Sequence, residues 1–96
     1  MIYVVMTYRR YNEWGPQEYR IVGYFETLQE ACKAVETNAC DIYESGYYHY
    51  AMIEDVKPGI YGSTDSHPIF YEWIDGAYRK VGKPKEFDHL TSFTIG

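Results

Sequence analysis

The chain has 96 residues, 46% of them apolar, and a net charge of −5, the size and balance of one compact domain spanning 1–96. Its longest uninterrupted apolar run covers residues 1–6, far short of the ~18 that suggest a membrane span, and no basic leader or small-residue cleavage site precedes it. The expectation is a soluble, cytoplasmic protein with no membrane association.

Charge is unevenly spread. Between Glu26 and Asp75 ten acidic residues face only Lys33 and Lys57, whereas the two ends together hold seven basic residues against four acidic ones. Nonspecific nucleic-acid binding rests on phosphate neutralisation, so an acidic domain without a long basic run is not expected to bind nucleic acid directly. The acidic middle suits the basic surface of a larger protein.

The first predicted strand, 2–8, is apolar on both faces: Ile2, Val4, Met6 and Tyr8 on one, Tyr3 and Val5 on the other. Such a strand belongs near the centre of a sheet. Residues 9–18, with Gly15-Pro16 and an isolated Trp14, read as a long hairpin loop. A second strand over 19–25 puts Tyr19, Ile21 and Phe25 on one face, and Gly23 marks a bulge or a close backbone approach.

Thr27-Leu28-Gln29-Glu30 fits a capping box, in which Thr27 caps an amide three residues on and Glu30 reaches back. Leu28, Ala31, Cys32, Val35, Ala39 and Ile42 then form one apolar stripe, with Glu30, Lys33 and Glu36 off it. Gly46 can terminate this helix, or Thr37-Asn38 can end it sooner. On one helix Cys32 and Cys40 would lie about 12 Å apart along the axis, too far for a disulfide, which wants Cα atoms within about 7 Å. Cys32 reads as a small core residue.

A third strand over 47–56 alternates Tyr48, Tyr50, Met52, Glu54 and Val56 with Tyr47, His49, Ala51, Ile53 and Asp55. Residues 57–59 turn the chain, and 61–68 form a loop by composition. The clearest local motif follows over 69–81, where Asp75-Gly76 suits a two-residue primed turn. Counting back from it pairs Trp73 with Tyr78 and Glu72 with Arg79, an aromatic pair and an ion pair in the same register. The tail, 82–96, either adds a short edge strand or wraps the core. The fold class is α+β: a mainly antiparallel sheet of about five strands with one helix on a face, in the order ββαβββ.

No catalytic signature accompanies this fold, and a non-enzymatic protein without a cofactor is expected. His49, His67 and His89 stand singly, without a paired histidine or cysteine at metal-ligand spacing. Asp65-Ser66-His67 puts three triad residue types side by side, but adjacent residues in a loop do not converge in space. Glu54 and Asp55 point to opposite faces of one strand. Gly15, Gly23 and Gly46 are isolated, so no phosphate cradle exists.

What remains is aromatic. Twelve residues are tyrosine, and Tyr43, Glu44, Tyr47, Tyr48, His49, Tyr50, Glu54 and Asp55 gather around the helix-to-strand junction. Tyrosine supplies contact area at low entropic cost, and flanking carboxylates favour an Arg/Lys-rich partner. These eight residues are the candidate partner-binding surface. The alternative is a small-ligand or nucleotide-binding domain whose aromatic face, Trp73 with Tyr78 or Tyr48 with Tyr50, stacks a planar ring. An open sheet edge would also offer a route to a homodimer.

The stretch Ile21-Val22-Gly23-Tyr24-Phe25-Glu26-Thr27-Leu28-Gln29-Glu30-Ala31, after an Ile-Tyr-Val-Val strand, resembles the opening of small uncharacterised proteins of gut Firmicutes, their phages and mobile elements. The resemblance covers the first third of the chain. It implies a phage or mobile-element accessory protein, a group that includes small acidic inhibitors of host defence nucleases, and it transfers no functional residue.

Overall fold

Five strands, one helix and two short 3-10 turns make up the computed structural model, which describes residues 1–9, 17–58 and 68–82. The first strand, β1 (Ile2–Arg9), lies in the interior of the sheet, beside its middle strand, in keeping with its two apolar faces. It pairs antiparallel with β2 (Gln17–Phe25) on one side and with β3 (Tyr50–Val56) on the other. Beyond β3 come β4 (Ile69–Ile74) and β5 (Ala77–Val81), giving the order β2-β1-β3-β4-β5 in one antiparallel sheet. With α1 (Leu28–Glu36), this is the ββαβββ domain expected from the sequence. No described helix is long and apolar enough to cross a membrane. The loops predicted around Trp14 and Asp65-Ser66-His67, and the tail beyond Gly82, expected either to add an edge strand or to wrap the core, lie outside the described residues.

Period-two alternation sorts the strand residues onto two faces, and both are buried. On the first face Val5, Ala51, Ile53, Tyr71 and Tyr78 pack with Ala31 and Val35 of α1 and with Ile42. On the second, Val4, Met6, Tyr8, Tyr50, Met52 and Phe70 form a separate cluster, in which the Tyr8 hydroxyl lies 3.7 Å from the Met6 sulfur and 3.8 Å from that of Met52. Burying aliphatic and aromatic side chains on this scale stabilises the fold by about 1.5–3 kcal/mol per side chain relative to exposure, before the entropic cost of ordering them. A polar group placed in either cluster must therefore justify itself by a bond.

Thr7 does not. It is fully buried on the first face, between Arg20 of β2 and Ala51 of β3 in the register, and among the described residues its Oγ1 has no hydrogen-bond partner. Leaving a buried hydroxyl unsatisfied costs about 1–3 kcal/mol, so the near-isosteric change Thr7→Val is expected to stabilise the domain by about 1 kcal/mol. A urea titration checks this. A midpoint that falls would show the hydroxyl to be bonded in solution.

Helix α1 begins as its capping box predicts: Thr27 is extended, with φ −125° and ψ 146°, and its Oγ1 accepts from the Glu30 amide at 3.2 Å while donating to the Glu30 carboxylate at 2.8 Å. The shorter of its two predicted ends is the one adopted. Thr37 caps it, with Oγ1 donating to the Lys33 carbonyl at 2.7 Å, and Asn38 turns left-handed at φ 50°. Ala39 and Ile42, assigned to the helical stripe by spacing, thus leave the helix. Ile42 still reaches the core because a 3-10 turn over Ala39–Asp41 carries it there.

Two strand assignments change. The third strand begins at Tyr50 rather than at Tyr47, because the Tyr47 and Tyr48 amides both bond back to the Tyr43 carbonyl at 3.1 Å. In β2 the register shifts between Gly23, opposite Val5, and Ile21, opposite Met6, so the bulge signalled by Gly23 is present. It throws Ile21 and Phe25, expected on one side, to opposite faces. The β4–β5 hairpin agrees with its predicted register, Trp73 opposite Tyr78 and Glu72 opposite Arg79, around Asp75 at φ 52° and Gly76 at φ 83°.

Candidate functional site

The segment joining α1 to β3 is tied down by two short polar side chains. Asn38 Oδ1 accepts from the Tyr43 amide at 3.0 Å, and its Nδ2 donates to Asp41 at 3.2 Å; Asp41 in turn accepts from the Ser45 amide at 3.5 Å and from the Ser45 hydroxyl at 3.4 Å. These bonds offset an unusual backbone. Asn38, Cys40, Asp41, Glu44 and Ser45 all have φ near +50°, a region that non-glycine residues enter at some energetic cost. The second 3-10 turn, Glu44–Gly46, then presents Tyr47 outward.

From this junction the candidate tyrosines go in different directions. The Tyr43 ring stacks on Trp73 with centroids 3.7 Å apart and planes 7° from parallel, and meets Tyr78 edge-on. Trp73 and Tyr78 are themselves edge-to-face at 5.0 Å, and the buried Tyr78 hydroxyl donates to the Tyr48 carbonyl at 2.6 Å. Tyr43 is therefore part of an aromatic triple that pins the junction to the β4–β5 hairpin. Of the aromatic residues considered for stacking a ligand, Tyr48, Tyr50 and Tyr78 are buried, and Tyr43 covers one face of the half-buried Trp73.

Tyr47 is different. It is 41% exposed, touches Tyr48 edge-on, and carries the Arg9 guanidinium 4.9 Å above its ring. Arg20 lies 5.6 Å over Tyr48 and forms an ion pair with Glu44. Arg9 and Arg20 belong to the basic half of the chain, and β1 and β2 bring them to the acidic junction. Sequence alone missed them. The only signal was the opposite sign of the ends and the middle, which says that charges can meet without saying where.

His49 Nε2 sits 3.4 Å from the Glu72 carboxylate, both groups half-buried, and the His49 carbonyl accepts from the Trp73 amide at 2.9 Å. Glu54 and Asp55 stand apart from the tyrosines, further along β3 and on opposite faces. Glu54 is buried among the second-face side chains, while Asp55 lines a cleft of about 200 Å³ with Met1, Tyr3, Leu28, Ile53 and Ile69. Of the eight candidate residues, the fold thus groups Glu44 and Tyr47 at the surface, sets Tyr43, Tyr48 and His49 behind them, and removes Tyr50, Glu54 and Asp55.

Two further tyrosines titrate abnormally. Burial holds the Tyr71 hydroxyl neutral far above the usual tyrosine range, helped by Cys32 and by Glu36, whose carboxylate accepts its hydrogen bond at 2.9 Å. Burial likewise raises Tyr78, with the nearby Tyr43 and Asp41 adding to the effect. Both are packing residues of the first face. Among the described residues no group of three or more His, Cys, Asp or Glu side chains is placed to hold a metal ion. No protein-family model, no curated protein and no solved structure matches the chain.

Proposed function

We propose that this protein is a non-catalytic binding domain that docks on a basic surface of a larger protein, and that its setting is a phage or mobile element in which it inhibits a host defence nuclease. The observation that carries the docking reading is Tyr47: a half-exposed ring braced by Arg9, following a segment in which Glu26, Glu30, Glu36, Asp41 and Glu44 are all exposed. In the sequence from Glu26 to Tyr47 Lys33 is the sole basic residue, and Arg9 and Arg20 reach this segment from β1 and β2. A rigid tyrosine next to an arginine is the usual composition of an energetic anchor, and the surrounding carboxylates would steer a cationic partner toward it. The arginines narrow the acidic region, since Glu44 is already paired, and shift its centre onto the outer side of α1.

The test is capture at low salt from a plausible host, followed by an assay of the captured nuclease. Tyr47→Ala is expected to weaken the complex by tenfold or more, the cost of losing an anchor worth about 1.4 kcal/mol or above, and Glu26→Lys to slow association and flatten its salt dependence. A host nuclease that works unimpaired in the presence of the protein, with no partner retained, would falsify the reading.

A further inference from the structure

The bulge in β2 gives that strand a symmetry of its own. Met6 and Val4, on the second face, oppose Ile21 and Tyr24, so these two side chains share that face although they are three residues apart. Val22 and Phe25 pack on the first face, where Gly23 opposes Val5 and Arg20 opposes Thr7. Read outward from the Val22–Gly23 peptide, both directions run first face, second face, first face. The strand is palindromic in its faces. A copy laid antiparallel beside it, about a twofold axis normal to the sheet, meets like face with like.

The exposed residues agree with such a partner. Tyr24 at 66% and Ile21 at 59% are the two most exposed large apolar side chains among the described residues, and no described strand pairs with the outer edge of β2. Between Arg20 and Glu26 the strand carries no charge. The opposite edge is unlike it: β5 presents exposed Arg79 and Lys80, charges of the kind that deter edge-to-edge pairing.

We propose that β2 is a self-association edge, along which a second copy of the chain pairs antiparallel and sets Ile21 of each copy against Tyr24 of the other. The pairing continues the sheet from one copy into the next and covers the exposed apolar margin of the second face. It stands independently of the docking surface around Tyr47.

Sedimentation of the full chain over a wide concentration range is expected to give a monomer–dimer equilibrium. Ile21→Lys and Tyr24→Lys, both at exposed positions, should each weaken it tenfold or more while leaving the circular dichroism spectrum unchanged, and Ile74→Lys on the hairpin should leave it alone. The register has its own readout. In a Cys40→Ser background, mixing Ile21→Cys with Tyr24→Cys protein under oxidation should give a cross-linked heterodimer, and either variant alone far less. A monomer at every concentration overturns the proposal and leaves the edge to a foreign strand or another segment of this chain. A dimer indifferent to both lysine substitutions and to the cross-link overturns it as well.

Discussion

Tyr78→Ala should cost about 3–5 kcal/mol, the range for deleting a large buried aromatic side chain, out of the roughly 5–15 kcal/mol that holds a domain of this size together. Its ring is 2% exposed and is met edge-on by both Tyr43 and Trp73, so the deletion removes one leg of the triple that fastens the junction to β4 and β5. Tyr78→Phe separates two contributions. It keeps the ring and loses only the bond to the Tyr48 carbonyl, so about 1–3 kcal/mol is expected. Urea midpoints for the two variants decide the matter. Equal losses would mean that the hydroxyl bond, rather than aromatic packing, secures the segment.

Alkaline pH should unfold the protein steeply, for a related reason. An unfolded tyrosine ionises near pH 10. In the folded state burial keeps Tyr71 and Tyr78 neutral to well above that, with Cys32 and Glu36 adding to the effect at Tyr71 and Tyr43 and Asp41 at Tyr78. Below about pH 10 both states hold these protons and their contribution is constant; above it the unfolded chain releases them and the folded one does not, so stability falls as pH rises. The expected slope is about 1.4 kcal/mol per pH unit for each tyrosine. Tyr71→Phe and Tyr78→Phe should each remove one tyrosine's share of the slope, read from urea midpoints on either side of pH 10. Identical slopes in the variants and the parent would show that other groups govern alkaline unfolding.

Where structure is set by neighbours in the chain, it was legible in the sequence. The Asp75-Gly76 turn needs two positive φ angles, and that demand fixed the register of the whole β4–β5 hairpin. Thr27 and Glu30 announced the start of α1 through bonds only three residues long. The end of α1 was ambiguous because its apolar stripe runs on past Glu36. What breaks it is the left-handed Asn38, whose side chain reaches Tyr43 five residues ahead. Alternation was equally blind at Tyr47–His49, where a strand-like pattern lies in a turn.

The candidate surface was legible only in its centre. Glu44 and Tyr47 lie where an exposed tyrosine-acid cluster was expected, but Arg9 and Arg20 come from β1 and β2, and such long-range meetings leave no local trace. Glu54 is the reverse case: a carboxylate in an acidic stretch reads as surface, and the pleat of β3 turns it inward. Tyr24 and Ile21, three residues apart, come to one face through the bulge, and both are exposed at the margin of the sheet.

The interior place of β1, between β2 and β3, has a kinetic consequence. The β4–β5 hairpin closes over a two-residue turn and α1 is capped within its own first turn, so both can form on the microsecond scale of local structure. Pairing β1 with β3 instead joins Ile2 to Val56 and Tyr8 to Tyr50, and the loop entropy of that closure must be met before any of its contacts repay it. Both hydrophobic clusters draw on β1 and β3, so neither is complete until this closure occurs. The rate of folding is then set by the meeting of two strands distant in the chain. Shortening the connection between them should speed folding more than any improvement to the hairpin or the helix cap.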